Sequence, residues 1–159
     1  MPAGQLCYYI KMKEEELKFE DIEKKAIEIL EMVSNMPKEK AVVIALSGDL
    51  GVGKTTMTQE IAKHLGVMEN VISPTFVIMK IYKTKNEIFK NLIHIDAYRL
   101  ENDEEILMLG WKDMIEDREN LIILEWPERI GGFLPEDAHK INIEHKDETT
   151  RIIKFCYNY

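Results

Sequence analysis

The stretch AVVIALSGDLGVGKTT, residues 41–56, decides the fold. Ala41 to Leu46 is an unbroken apolar run rich in β-branched residues, the pattern of a strand buried on both faces. Glycines follow at 48, 51 and 53, and from Lys54 to Leu65 the residues Met57, Ile61 and Leu65 share one helical face. Strand, glycine loop, helix is the local order of an α/β layer architecture. Within it, Gly48-Asp49-Leu50-Gly51-Val52-Gly53-Lys54-Thr55 matches G-x-x-x-x-G-K-[ST] at every fixed position. Each part has a physical use. A polyphosphate is dense negative charge, and the main-chain amides from Asp49 to Thr56 open a helix whose dipole favours an anion. Glycines keep side chains out of the approach, Lys54 brings a full charge to the β- and γ-phosphates, and the Thr55 hydroxyl is a hard oxygen ligand suited to Mg²⁺. Chance places such a pattern in roughly one chain in two hundred of this length. The flanking strand and helix disfavour that bland reading.

Outward from this core the pattern continues. Ile22, Ala26, Ile29, Leu30 and Val33 give an amphipathic helix over Phe19–Val33, ended near Pro37. Residues 1–18 read as a poorly specified arm with a short strand at Leu6–Ile10. Ser73-Pro74-Thr75 is a turn, and Phe76–Lys83 and Glu87–Ile95 read as a hairpin joined at Thr84–Asn86. Asp103–Leu109 and Trp111–Asp117 are short helices broken at Gly110. Leu121–Leu124 is a second buried strand, and Lys140–His145 with Arg151–Tyr157 forms an antiparallel edge pair. The expectation is therefore one α/β P-loop NTPase domain over residues 19–159, with a mostly parallel central sheet, flanking helices and antiparallel edge strands.

Composition narrows the partners. The chain has 159 residues and a net charge of −8, so it has no general attraction to nucleic-acid phosphates. No apolar run approaches the roughly 20 residues of a membrane helix, and MPAGQLCYYIKMK lacks the pattern of a signal peptide. A cytoplasmic location is expected, with Cys7 and Cys156 reduced. The nine methionines read as core filler.

A P-loop enzyme needs an acid at the end of a neighbouring strand to hold Mg²⁺. Leu92-Ile93-His94-Ile95-Asp96 and Leu121-Ile122-Ile123-Leu124-Glu125 both end in one. The better buried run precedes Glu125, which takes the metal with Thr55. Asp96 then orients the attacking water or sits in the metal's outer shell. Ser73 and Thr75 lie where many P-loop proteins carry a segment that senses the γ-phosphate. Trp126 is core or pocket wall, core being favoured on residue type alone, and His94 reads as a core histidine. Two rival functions stand beside an ATPase. A metabolite kinase would use Asp96 as base and Arg99 as clamp, but Arg99, Arg118, Arg129 and Arg151 are too dispersed for a lid cluster. A nucleotide-gated binding module with little hydrolysis would not need both acids.

Taken together, LSGDLGVGKTT (46–56), ISPTF (72–76), HIDAYRL (94–100), LEWPER (124–129) and LP (134–135) resemble the TsaE (YjeE) family, P-loop ATPases of tRNA threonylcarbamoyladenosine biosynthesis. The resemblance covers roughly residues 19 to 155. It implies an ATPase that binds ATP/ADP and Mg²⁺ and drives turnover of the TsaB–TsaD complex, touching tRNA only through that complex. By the same resemblance Gly51, Gly53, Lys54 and Thr55 belong to the phosphate loop, Thr55 and Glu125 hold the metal, Asp96 matches the HxDxYR aspartate, Thr75 matches the switch threonine, and Trp126 moves from core to site; Lys54, Asp96 and Thr75 are the catalytic residues expected. The family often carries Ser or Thr near its first helix, facing the base; Lys18-Phe19-Glu20-Asp21 offers no match. No N-K-x-D guanine reader follows the loop, which leans towards ATP.

Overall fold

A computed structural model describes residues 11–157 of the protein. In chain order the elements are β1 (Lys11–Lys18), α1 (Ile22–Ser34), β2 (Val42–Ser47), α2 (Lys54–His64), β3 (Met79–Lys83), β4 (Asn91–Asp96), α3 (Glu105–Met108), α4 (Trp111–Glu116), β5 (Asn120–Glu125), β6 (His139–His145) and β7 (Thr150–Tyr157). One sheet of order β1-β7-β6-β2-β5-β4-β3 joins all seven strands. β6, β2, β5 and β4 run parallel; β7 with β1 at one edge and β3 at the other are antiparallel.

The parallel centre follows from residue type. All of β5 and all but the last residue of β2 are buried, so each presents apolar side chains to both faces. Val42, Ile44 and Leu46 pack with Ile29, Met57 and Ile61 of α1 and α2. Val43, Ile122 and Leu124 pack on the opposite face with Ile106, Trp111 and Met114 of α3 and α4. Each large side chain so buried contributes about 1.5–3 kcal/mol. Between α1 and α2, Glu23, Glu60 and His64 converge, and Lys63 ion-pairs with Glu23 at 2.8 Å and Glu60 at 3.4 Å.

The structure corrects three expectations. From Lys11 onward the supposed arm is β1, paired with β7 from Lys11↔Tyr157 to Lys18↔Thr150. KMKEEELK has little alternation to announce a strand, and only Leu17 among its described side chains is buried. β1 is specified by the open edge of β7 and by ion pairs such as Glu15–Lys25 and Glu16–Lys146. The strand expected at Leu6–Ile10, and Cys7, lie outside the described residues; Cys156 is a free thiol. The hairpin strands are shorter than the sequence implied. Pro74 O accepts from Val77 N and Ile78 N, making a turn that delays β3 to Met79. At the other arm Asn86 Oδ1 accepts from Ile88 N and Phe89 N, so Glu87–Lys90 belongs to the turn. Among the described methionines Met57 and Met114 are buried and Met32 and Met79 pack against the core, whereas Met12, Met68 and Met108 are exposed, so not all are core filler. Among the described residues no helix is long and apolar enough to cross a membrane.

Candidate nucleotide site

Three strand ends meet at one edge of the sheet. β2 runs into Gly48, β5 ends at Glu125 and β4 ends at Asp96. Glu125 pairs in register with Asp96 on one side and Leu46 on the other. Open α/β sheets bind ligands in the crevice outside such carboxyl ends.

The loop after β2 is built on its glycines. Gly48 has φ +137°, and a Cβ there would lie 2.2 Å from the carbonyl oxygen of Ile143 in β6. Gly48→Ala is therefore expected to cost at least about 1–3 kcal/mol from the forbidden φ alone, with the backbone clash in addition. A urea melt would show it as a lowered midpoint; an unchanged midpoint would contradict this loop geometry. Gly53 has φ +115°, and a Cβ there would lie 2.9 Å from the Phe19 ring. From behind, Arg151 of β7 donates its Nε–H to Val52 O at 3.0 Å and lies 5.0 Å from the same ring. Phe19 and Arg151 thus brace the loop from remote parts of the chain. Sequence reading missed both, since neither carries a local signal.

Lys54 opens α2 and is buried. Its ammonium donates to Gly48 O at 2.6 Å and Asp49 O at 2.8 Å, and lies 4.5 Å from the Trp126 ring centroid. Burial pushes Lys54 below its ordinary value of 10.5, while the charges of Glu125 and Asp96 pull the other way. Thr55, the next residue, donates its hydroxyl to Glu125 Oε1 at 3.1 Å. That oxygen also lies 2.8 Å from His94 Nε2. A carboxylate only accepts, so the ring donates from Nε2. Asp96 has a separate donor set. Thr75 Oγ1 donates to Oδ2 at 2.8 Å, Ser73 Oγ stands 3.4 Å from the same oxygen, and Tyr98 N donates to Oδ1 at 3.0 Å.

Phe19, Leu50, Gly51, Gly53, Lys54, Thr55, Thr56, Ser73, Thr75, Asp96, Glu125 and Trp126 line a cleft of about 170 Å³. The structure thus brings together most of the residues singled out in the sequence. Two stand apart: Val52 turns its side chain into the core, and Asp49 turns its carbonyl to Lys54. Trp126 is at the cleft wall, with φ +60° and its ring 5.0 Å from that of Tyr98. The residues fit a magnesium nucleotide. The Thr55 hydroxyl stands 3.5 Å from Oε2 of Glu125, a hard-oxygen pair of the kind Mg²⁺ takes. The amides of the first turn of α2 have no helical acceptors, and an ammonium stands beside them. A larger cleft of about 540 Å³ lies at the opposite end of the sheet, beside Pro37, Val42 and His139, away from the phosphate loop.

Comparison with known proteins identifies the family. The model described as Threonylcarbamoyl adenosine biosynthesis protein TsaE matches residues 13–153. A relative from Rickettsia felis, named tRNA threonylcarbamoyladenosine biosynthesis protein TsaE, is 40% identical over 117 residues, 73% of this chain and 66% of its own length. Proteins of the same name from Haemophilus influenzae and Bacillus subtilis are 35% identical over 122 residues and 38% over 113. These cover 77% and 71% of this chain, and 75% and 68% of the relatives. The crystal structure of Bacillus subtilis YdiB superposes with a TM-score of 0.69 at 26% identity, covering 94% of this chain and 88% of that one.

Proposed function

This chain belongs to the TsaE family of tRNA threonylcarbamoyladenosine biosynthesis, and from that premise we propose that it is a Mg²⁺-dependent ATPase that drives turnover of a TsaB–TsaD complex. The observation that carries this reading is the division of donors at the strand ends: Thr55 and His94 hold Glu125, while Thr75 and Ser73 hold Asp96. Two acids with separate supports suit two tasks, one at a metal and one at a water.

In the proposed reaction ATP and water give ADP and phosphate. The loop amides and Lys54 bind the phosphates, which requires the ammonium to leave Gly48 O and Asp49 O. Thr55 and Glu125 would hold Mg²⁺, which supplies charge neutralisation on the β- and γ-phosphate oxygens. Asp96 orients the water, and Thr75 links that carboxylate to the segment that senses the γ-phosphate. Trp126 and Phe19 wall the cleft against solvent. The catalytic domain takes in β1 as well as residues 19–159, and it works in the cytoplasm. A kinase reading is weaker, because Arg99, its candidate anion clamp, stacks 4.7 Å from the Phe76 ring and does not line the cleft.

Company is needed for speed. No arginine lines the cleft among the described residues, and an arginine finger supplies roughly 10³–10⁵ in rate. Beside the cleft, Phe76 and Val77 are exposed on the loop that carries Thr75, and Arg99 stacks 4.7 Å from the Phe76 ring. This apolar rim is the proposed face for TsaB–TsaD, through which tRNA is reached. Phosphate release from Mg·ATP should be slow for the chain alone and rise when TsaB, TsaD and tRNA are added. Phe76→Asp should keep the basal rate and lose the rise. A rate indifferent to the complex would overturn the partner assignment; no turnover under any condition would overturn the ATPase.

A further inference from the structure

We propose that His94 is a positioning residue for Glu125, fixing which oxygen of that carboxylate is left free for the cation. The proposal rests on the Mg²⁺–nucleotide reading above and adds to it a residue that the sequence assigned to the core.

His94 is completely buried in β4, within the apolar run Leu92-Ile93-His94-Ile95. An imidazole there carries a desolvation cost that a leucine would avoid. Half of that cost is visible: Nδ1 is buried and has no hydrogen-bond partner. The other half is recovered at Nε2, whose hydrogen goes to Glu125 Oε1 at 2.8 Å. Nδ1 has no acceptor to receive an N–H, so the ring hydrogen that matters here sits on Nε2.

The consequence falls on Glu125. Its Oε1 accepts from both His94 Nε2 and Thr55 Oγ1, whereas Oε2 lies 3.5 Å from Thr55 Oγ1. With Oε1 held from two directions, the carboxylate is locked about its side-chain torsions. Oε2 keeps its capacity for a cation or a cation-bound water. The two donors come from different elements, β4 and the start of α2, so the lock forms only when the sheet and the phosphate loop are both in place. Loss of such an outer partner typically weakens metal binding about 10–100-fold.

The test uses the full chain, Mg²⁺ and the β,γ-imido analogue of ATP, measured by calorimetry. His94→Leu removes the donor at similar volume, and His94→Gln returns an N–H at similar reach. The wild-type protein should bind the analogue more tightly with Mg²⁺ than without. His94→Leu should lose about 10–100-fold of Mg²⁺ affinity while keeping its Mg²⁺-free affinity, and His94→Gln should recover most of the loss. Unchanged Mg²⁺ affinity in His94→Leu overturns the proposal, as does a loss that His94→Gln fails to recover, because packing would then explain it. Nitrogen NMR of the nucleotide-free wild-type protein gives a reading independent of any variant's folding. A His94 ring protonated at Nε2 alone supports the lock; a ring protonated at Nδ1 alone refutes it. A wild-type protein indifferent to Mg²⁺ would instead refute the metal reading itself, leaving the tautomer to decide the hydrogen bond.

Discussion

Lys54→Ala should bring ATP turnover down by at least about 10²–10³, to the background of the assay. Among the described residues that line the cleft Lys54 is the one cation, and it faces two acids, Asp96 and Glu125. Without it, a triphosphate entering the cleft would meet two carboxylates with only neutral amides to offset them. The repulsion is large because the side chains are buried, where charges interact far more strongly than in water. The fold itself should survive. Burial already disfavours the Lys54 ammonium, so removing it relieves a cost as it forfeits the bonds to Gly48 O and Asp49 O. Phosphate release and calorimetric ATP titration, beside a thermal melt, separate the two effects. Turnover within a few-fold of wild type would show that the ammonium plays no part at the phosphates.

The second large effect is expected at Glu125. Glu125→Gln removes the charge but keeps an oxygen that can accept from His94 and Thr55, so it tests chemistry with little structural loss. Glu125→Ala would leave the buried His94 Nε2–H unmatched and cost about 1–3 kcal/mol of stability as well. For the Gln variant, the Mg²⁺-dependent rate should fall by on the order of 10²-fold or more, while nucleotide affinity without Mg²⁺ stays near wild type. Asp96→Asn should behave differently, retaining Mg²⁺-dependent binding and losing turnover. If Asp96→Asn lost Mg²⁺ binding and Glu125→Gln kept both, the roles of the two acids would be exchanged.

These expectations differ in where they were legible. The phosphate loop could be read residue by residue, because strand, glycines and helix are contiguous and their physics is local. Both acids could be placed at strand ends for the same reason: an apolar run that stops at a carboxylate marks where a buried strand leaves the apolar core. The edge strand β1 could not, because its eight residues carry mixed charge with little alternation and it pairs with a strand about 140 positions away in sequence. The late start of β3 was hidden likewise, since β-branched and aromatic residues at 76–78 read as strand while Pro74 O folds them into a turn.

By itself the sequence determined the α/β class, the glycine loop between strand and helix and the pair of acids, since each is written in neighbouring residues and needs only helical or strand periodicity to be read. The tertiary structure alone decided which donor serves which acid. His94 to Glu125 spans 31 positions, Thr75 to Asp96 21 and Arg151 to Val52 99. Such pairings depend on strand order and register. These are set by how the whole sheet buries its apolar faces, and no window of sequence contains that information.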